Sequence, residues 1–386
     1  MDQGAAAHPG KRRLARRNWM EPLGFLTVFA LLFGIIGHIM GPANMINTMM
    51  ETAYSLLINT VFYLLAITVL TGAISGLLSE FGVVTLLNRL LSPLMGPVYG
   101  LPGVSALGPV TTYLSDNPAI LTLARDQSFR ACFKTYQMPA LVSLGTSFGM
   151  GLIVSTFMLS LGGMGKAVLA GNLGAVVGSL IATRLMLRYA AKNLGKETWC
   201  EPAQEAPPPS SGTKSGGLRV LSAIMQGGKS GVELGLSIIP GVLIICTFVF
   251  LLTGSPGPDG VYTGGAYEGI GLLPFLGEKL SFLLCPLFGF SGPEAIAVPV
   301  TAMGSAGAAI GLVPQLLQQG AAAPGDVAVF TAMCMCWSGY LSTQVTVMNT
   351  IGHAGLSGRA IVYQTLAGLA AGIAAHGFYA LLTLFF

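Results

Sequence analysis

The sequence is 386 residues long with a formal net charge of +4; hydrophobic residues make up 53% of it and charged residues 9%. A soluble domain spends about a quarter of its residues on charged side chains because its surface faces water. This composition excludes a soluble fold and indicates a chain that lies largely in lipid. It also gives no indication of a nucleic-acid partner.

Residues 1–22 are predicted to form a basic cytoplasmic leader that contains "KRRLARR", and the first apolar run follows at about 23–40. A cleavable secretory signal would end in a small-x-small site, whereas this run leads into "HIMGPAN". We therefore expect an uncleaved anchor, with a cleaved signal as the alternative. Residues 23–53 are predicted to be a peripheral transmembrane helix followed by a loop.

Six further apolar runs approach the ~20 residues that a helix needs to cross a bilayer. They lie at about 54–79, 138–162, 165–190, 232–253, 325–350 and 360–386. Two other apolar stretches, at about 90–125 and 280–312, are interrupted by Pro and Gly, so neither is predicted to be one continuous helix. Residues 191–230 include "EPAQEAPPPSSGTKSGG", a composition that predicts a flexible cytoplasmic linker.

The two interrupted stretches resemble each other. "ALGPVTTYLS" (106–115) aligns without gaps with "IAVPVTAMGS" (296–305), and this alignment matches Pro109 with Pro299 and Ser115 with Ser305. Each half of the chain also has the same order of parts, namely a span, an interrupted stretch and two more spans. We interpret this as a duplication, with repeat 1 at 54–190 and repeat 2 at 231–386.

The distribution of positive charge indicates how the interrupted stretches lie in the membrane, because Lys and Arg are concentrated in cytoplasmic loops. If both stretches turn back and the N-terminus is cytoplasmic, 17 of the 19 Lys and Arg residues are cytoplasmic, and only Lys166 and Lys279 are outside. Each repeat then has three full spans, an odd number, so the repeats are inserted in opposite orientations. The predicted fold is an all-α polytopic membrane protein with two inverted repeats, each with a re-entrant helical hairpin and three transmembrane helices, plus an extra N-terminal helix.

Two carboxylates fall in the predicted hairpins, Asp116 in "TTYLSDNPA" and Glu294 in "FSGPEAIAVP". An acid at membrane depth is costly and generally serves a function. The alternative is helix capping, because Asp116 and Asn117 favour N-caps, Pro118 suits a first helical turn and Glu294 follows a proline. Both roles are compatible with a site, since a helix start presents free N–H groups to a polar ligand.

Other polar residues extend the predicted substrate- or ion-binding set. The matched hairpin segments carry hydroxyls that either bind a polar solute or cap their own helices, and the later spans carry amides that either bind a solute or join neighbouring helices. These residues are Thr111, Thr112, Ser115, Thr301, Ser305, Gln344 and Asn349. We predict no metal site, because Cys334 and Cys336 in "MCMCW" point to nearly opposite faces of a helix. The sequence also contains no motif of an enzyme active site.

The hairpin motifs "SPLMGPVYGLPGVSALGPVTTYLSDNPA" and "LLCPLFGFSGPEAIAVPVTAMGSAGAAIGLVPQLL" resemble the Gate domain, also called the nucleoside-recognition domain. The resemblance covers about 54–190 and 232–386. It implies kinship with concentrative nucleoside transporters, the membrane portion of ferrous-iron transporter B proteins and the spore maturation proteins. In the first hairpin, Asp116 and Asn117 stand in place of the glutamate-bearing motif of the nucleoside transporters.

These patterns predict a multi-pass transporter of a small polar solute, nucleoside-like or an ion, with a midplane site between the hairpins. Such inverted repeats with broken helices are typical of secondary transporters. We expect no cofactor, with Na⁺ or H⁺ as the candidate coupling ions. The alternatives are a membrane scaffold of the spore maturation type and a gated ion pathway. The expected setting is the bacterial inner membrane, with the lipid bilayer and a second copy of the chain as candidate partners.

Overall fold

The computed structural model describes residues 9–125, 127–196, 198–200, 216–257 and 259–385. Over these residues the chain is helical apart from turns, loops and one isolated β-bridge between Lys134 and Trp199. Six described helical segments are long and apolar enough to cross a membrane: Trp19–Met40, Pro42–Glu80, Gln137–Ser160, Gly165–Leu194, Gly216–Thr253 and Ala354–Phe385. The predicted all-helical, multi-span fold is thereby confirmed.

The chain divides into two compact units, and the smaller one contains the described residues up to Thr52 together with 250–271. Its helices are α1 (Pro9–Met40) and α2 (Pro42–Ser55), separated by Gly41 in a left-handed conformation. Residues 42–53, predicted as a loop, are therefore helical. α2 holds the loop that follows Thr253, because Asn44 donates to the carbonyl of Tyr262 at 3.0 Å.

Glu268 organises this loop. Its carboxylate is only 6% exposed and accepts hydrogen bonds from the backbone N–H groups of Thr263, at 3.1 Å, and Gly264, at 3.0 Å, and from the Thr263 hydroxyl at 2.6 Å. Burial by itself raises the pKa of Glu268, but these hydrogen bonds outweigh burial and leave the pKa below its usual range. The loop is therefore tied to the ionised carboxylate.

We expect the order of this loop to depend on pH. A carboxyl with a lowered folded pKa stabilises the structure above its unfolded pKa, and the stabilisation is lost as the pH falls through the folded pKa. Hydrogen-exchange protection at Thr263 and Gly264, corrected for intrinsic rates, should fall below about pH 4. Glu268→Gln should lose protection even at neutral pH, whereas Asp259→Asn, an exposed change in the same loop, should not. Equal protection in all three proteins at neutral pH would contradict this role.

The larger unit contains the described residues of 53–249 and those from Leu272 onward. In its first half the helices are α3 (Phe62–Glu80), α4 (Val83–Leu94), α5 (Leu107–Leu114), α6 (Pro118–Arg125), α7 (Gln127–Arg130), α8 (Gln137–Thr146), α9 (Gly151–Ser160) and α10 (Gly165–Leu194). In the second half they are α11 (Gly216–Pro240), α12 (Thr247–Thr253, which ends in the smaller unit), α13 (Leu272–Lys279), α14 (Ser281–Phe288), α15 (Ala297–Ala302), α16 (Ala306–Gln318), α17 (Pro324–Cys336), α18 (Tyr340–Thr350) and α19 (Ser357–Phe385).

Elements of the two halves begin at equivalent positions. A 3₁₀ turn starts at Gly103 in one half and at Pro293 in the other, and α5 and α15 follow at Leu107 and Ala297, all in the register of the sequence alignment. The chain bends by 108° before the first turn and by 79° before the second. Each 3₁₀ turn and helix is the first arm of a hairpin, and α6 and α16 are the return arms.

Two of the predicted continuous spans are broken in the middle. The run at 325–350 is interrupted at Trp337–Gly339, and the run at 138–162 is interrupted at Ser147–Met150. Gly339 (φ 60°) and Met150 (φ 54°) take the left-handed conformation that ends a helix. Both breaks are flanked by apolar residues, so hydropathy gave no sign of them, and the prediction of one continuous helix at 325–350 is wrong.

The predicted linker is shorter than 191–230. Residues 216–230 belong to α11, and 198–200 pack against the chain ahead of α8, where the N–H of Cys200 donates to the carbonyl of Phe133 at 3.1 Å. The Pro-rich segment 201–215 and residues 1–8 of the leader lie outside the described residues.

Glycine packing joins α3 to α11. The two helices run antiparallel, with Gly72 and Gly76 of α3 facing Gly227 and Gly231 of α11. A Cβ atom on Gly231 would collide with the carbonyl oxygen of Thr68, and one on Gly227 would collide with that of Gly72. Small residues of this kind let membrane helices approach until their backbones touch.

Gly231→Ala should therefore force α3 and α11 apart and destabilise the fold by about 1–3 kcal/mol. Gly228→Ala on the same helix is the matched control, because its Cβ would meet only the Val69 Cγ1 atom at 3.8 Å and alanine favours a helix. Thermal unfolding in detergent should show a lower midpoint for the first variant alone. A Gly231→Ala protein as stable as the control would contradict the packing.

Candidate functional site

The tip of the first hairpin lies between α5 and α6, at Ser115–Asn117. Pro118 sets this boundary, because it has no N–H for the α5 ladder, disfavours helical geometry in the residue before it and suits the first position of α6. α6 is joined to the tip by hydrogen bonds from Ala119 N–H to the Asp116 carbonyl, at 2.9 Å, and from Ile120 N–H to the Asn117 carbonyl, at 3.1 Å.

Two polar side chains of the tip, those of Asp116 and Asn117, contact α18 and the break that precedes it. Asn117 is 4% exposed, and its amide nitrogen donates to the Ser338 carbonyl and to the Thr343 hydroxyl, the latter at 3.4 Å. The Ser338 hydroxyl lies 3.4 Å from Oδ1 of Asp116 and donates to it. The Asn117 side chain thus bonds to the break at Trp337–Gly339 and does not cap α6.

The same break contacts the second hairpin. Gly339 donates its N–H to the carbonyl of Ala302 at 3.2 Å, and a Cβ on Gly339 would lie 3.2 Å from the Gly304 carbonyl. The tip of the second hairpin, Met303–Ser305, follows directly after α15. The α17–α18 break therefore lies against both hairpin tips.

The α8–α9 break contacts both the α17–α18 break and the tip of the first hairpin. A Cβ on Gly149 would lie 2.6 Å from Oδ1 of Asn117 and 2.7 Å from Cβ of Ser338, so only glycine fits here. The Cys336 thiol lies 3.6 Å from the carbonyl of Ser147. We call the meeting place of the two tips (115–117 and 303–305) and the two breaks (147–150 and 337–339) the junction.

Buried amides hold the two breaks together. Gln364 of α19 is fully buried, and its amide nitrogen donates to the Ser147 hydroxyl and to the Cys336 carbonyl, each at 2.9 Å. Gln344 is also fully buried and donates to the side-chain oxygen of Gln364 at 3.4 Å. Within the described protein, the side-chain oxygens of Gln344 and Asn117 are buried and have no hydrogen-bond partner.

The other predicted hydroxyls bond to nearby backbone. Thr112 is buried and donates to the Gly145 carbonyl of α8 at 2.9 Å, which fastens the first hairpin to α8. Thr301 donates to the Ala297 carbonyl at 2.8 Å, and Ser305 caps α16 by accepting from Ala308 N–H at 3.2 Å. Of the two roles left open for Ser305, the structure shows the capping role.

Two predicted residues lie away from the junction. Glu294 is in the turn that starts the first arm of the second hairpin, eight residues before Ala302 and so about 12 Å from the tip by helical rise. Asn349 is exposed, near the end of α18. The fully buried acid of this half is instead Asp326, which accepts N–H groups from Ala323, at 2.7 Å, and Ser291, at 3.0 Å, and serves the start of α17.

A cavity of about 590 Å³ extends from the first hairpin along α3 and α11. Thr111 and Ser115 line it on the hairpin, next in sequence to Asp116. Much of its remaining lining is hydroxyl or amide: Thr68, Thr71, Ser75, Ser79, Ser222, Gln226 and Ser230. Glu80 also lines it and is bound to Arg219 at 2.7 Å. The lining also includes the apolar side chains of Val84, Leu114, Ile153, Ala223 and Leu234, so the cavity combines apolar surface with uncharged polar groups.

No family model and no curated protein matches this sequence. Solved structures do match its fold. CNTnw, a concentrative nucleoside transporter, in an inward-facing substrate-bound state is 14% identical with a TM-score of 0.55, over 97% of this chain and 87% of that chain. A doubly substituted CNTnw in an outward-facing state is 16% identical with the same TM-score and coverage. The chain has a concentrative nucleoside transporter-like fold.

Ser338, Thr343, Gly149 and Gln364 were not among the predicted site residues. On one continuous helix Ser338 and Thr343 would lie on different faces, and it is the break at Trp337–Gly339 that brings both residues to Asn117. Gln364 had a usable signal, since it is a lone amide in the apolar run at 360–386. Gly149 had none, because its role depends on the approach of a hairpin distant in sequence.

Gln364→Leu should destabilise the protein by about 1–3 kcal/mol, because it leaves the Ser147 hydroxyl and the Cys336 carbonyl buried without a donor. Gln319→Leu, an exposed change at the end of α16, is the control. Thermal unfolding of both detergent-purified variants measures the difference. If Gln364→Leu matched wild type, the amide network would not hold the breaks together.

Proposed function

We propose that this chain is a secondary transporter that carries a small polar solute through the junction. The observation that carries the proposal is the meeting of two hairpin tips and two helix breaks around Asn117. Irregular backbone at membrane depth is tolerated where it is covered by protein or lines a water-filled cavity. In secondary transporters such discontinuous helices form the sites for substrate and coupling ion.

Side chains of the junction, together with Gln344 of the adjoining helix α18, have the chemistry to bind a coupling cation. The side-chain oxygens of Asn117 and Gln344 are buried without partners, which is costly unless something else binds them. Asp116 supplies one carboxylate. The helix breaks add backbone carbonyls, and in secondary transporters the carbonyls of unwound helix segments coordinate Na⁺. Na⁺ fits this set of neutral oxygens and one acid, and H⁺ on Asp116 is the alternative.

The solute class follows from the cavity and from the fold. Hydroxyl and amide side chains line the cavity, and Glu80 on its wall is paired with Arg219. The similar structures are of a nucleoside transporter, and one of them is in a substrate-bound state. A nucleoside-like neutral solute is therefore the first to test.

The membrane arrangement belongs to the same proposal. Elements that begin at matching positions of the two halves support two repeats, and the bias of Lys and Arg supports opposite insertion with a cytoplasmic N-terminus. The inferred location is a bacterial inner membrane. Assembly into a homo-oligomer is part of the hypothesis and requires a mass measurement in lipid.

Uptake of labelled nucleosides into proteoliposomes under an imposed Na⁺ or H⁺ gradient tests the proposal. Wild type should accumulate solute with saturation, and Asp116→Asn should lose gradient-driven uptake because the carboxylate that binds or neutralises the cation is gone. Glu278→Gln, which removes an exposed acid elsewhere, should transport normally.

The outcomes separate the alternatives. If the wild-type protein took up no solute under either gradient, the transporter proposal would be overturned and the membrane scaffold would remain as the alternative function. Gradient-driven uptake retained in Asp116→Asn would remove Asp116 from coupling. Ionic current without saturation would support a gated ion pathway.

A further inference from the structure

A second cavity lies at the C-terminal end of α10. Its volume is about 420 Å³, and its lining consists of Tyr136, Leu187, Arg188, Ala191, Lys192 and Lys196. Three of these six residues are cations, and all three are exposed. This cavity shares no lining residue with the cavity along α3 and α11.

The lining residues of this cavity, all of them within the described part of the chain, include three cations and no carboxylate. Arg188 and Lys192 are four residues apart on α10 and therefore share a face, where like charges repel. Arg184, one turn earlier, is held by the carbonyls of Val98, at 2.7 Å, and Pro97, at 2.5 Å. The ion pair found in the described part of the chain joins Arg219 to Glu80, and none of the three cavity cations takes part in it. The cavity therefore presents unpaired positive charge.

The length of α10 places this cavity at the membrane surface. α10 has 30 residues and so is about 45 Å long, whereas the hydrocarbon core is about 30 Å thick. Its C-terminal turns carry Arg188 and Lys192, and charged side chains are costly in the hydrocarbon core, so we place this end among the lipid headgroups. The inference rests on the membrane arrangement proposed above, in which this end faces the cytoplasm, where the leaflet carries anionic lipid.

The cavity is amphipathic in the way a headgroup requires. Leu187 and Ala191 give it an apolar wall, and Tyr136 adds an aromatic ring of the kind found at membrane interfaces. Beside Tyr136, the Lys134 ammonium lies 5.6 Å from the centre of the Trp199 ring, and the two residues form the isolated β-bridge. This bridge fixes the chain at the edge of the cavity.

We propose that this cavity binds the phosphodiester headgroup of an anionic phospholipid of the cytoplasmic leaflet. Arg188, Lys192 and Lys196 contact the phosphate oxygens, and the acyl chains lie along the apolar side of α10. The bound lipid offsets the positive charge of these three residues and anchors the end of this span. The site is independent of transport, so its test measures lipid binding alone.

Native mass spectrometry of the detergent-purified protein, titrated with phosphatidylglycerol or phosphatidylcholine, measures the site directly. Each cation near an anionic lipid strengthens binding about five-fold, so the triple variant Arg188→Gln, Lys192→Gln, Lys196→Gln should bind phosphatidylglycerol on the order of 100-fold more weakly. Its weak binding of phosphatidylcholine should not change. The charge-keeping variant Arg188→Lys, Lys192→Arg, Lys196→Arg should retain most of the affinity for phosphatidylglycerol.

The matched control removes three exposed lysines elsewhere, Lys166→Gln, Lys229→Gln, Lys279→Gln, and should bind phosphatidylglycerol like wild type. Thermal unfolding of each variant checks that the fold is intact. Equal losses in the control and the test variant would overturn the site, as would unchanged binding in the test variant. If an equal concentration of inorganic phosphate displaced the lipid, the cavity would be a site for a soluble anion and the proposal of a lipid site would be overturned.

Discussion

Backbone N–H and C=O groups that leave a helix inside a membrane must find partners in the protein, because lipid offers none. The junction meets this requirement by placing irregular segments against one another. Gly339 donates to Ala302 across to the second hairpin, and Asn117 and Gln364 donate to the carbonyls of Ser338 and Cys336. Two broken spans and two hairpins are each incomplete alone, and the fold is stable because they meet.

The two halves share a scaffold but differ where they meet. When the register of the alignment is shifted by one position, Met150 corresponds to Gly339, and both take the left-handed conformation. In that shifted register Gly149 corresponds to Ser338, whereas in the register of the hairpins Asn117 corresponds to Gly307. The contact of Asn117 with Ser338 therefore has no equivalent in the other half, where Gly307 and Gly149 lack the side chains to make it. The polar chemistry belongs to one hairpin, although both halves supply backbone to the junction.

The sequence was sufficient for the all-helical, multi-span fold and for the bends in the two Pro- and Gly-rich stretches, because hydropathy, proline positions and the internal alignment of the two halves report on local geometry. It was not sufficient for the breaks in α8–α9 and α17–α18. A left-handed residue such as Met150 leaves no mark in an apolar run. The sequence left the role of Ser305 open between helix capping and solute binding. It also did not predict how far Glu294 lies from the hairpin tip. A proline followed by an acid indicates a helix start but does not say at which end of a hairpin arm that start lies.

Packing differs sharply between the parts of the larger unit. α3 and α11 touch through glycines, with backbone against backbone, so their relative position admits little change. The junction is held by side-chain amides and hydroxyls, some at 3.4 Å and some with an unpaired oxygen. Such contacts can be exchanged for bonds to an ion or a solute, whereas glycine packing cannot. A binding step that satisfied the free oxygens of Asn117 and Gln344 would therefore act on the hairpins and the breaks and would leave the glycine contacts of α3 with α11 unchanged.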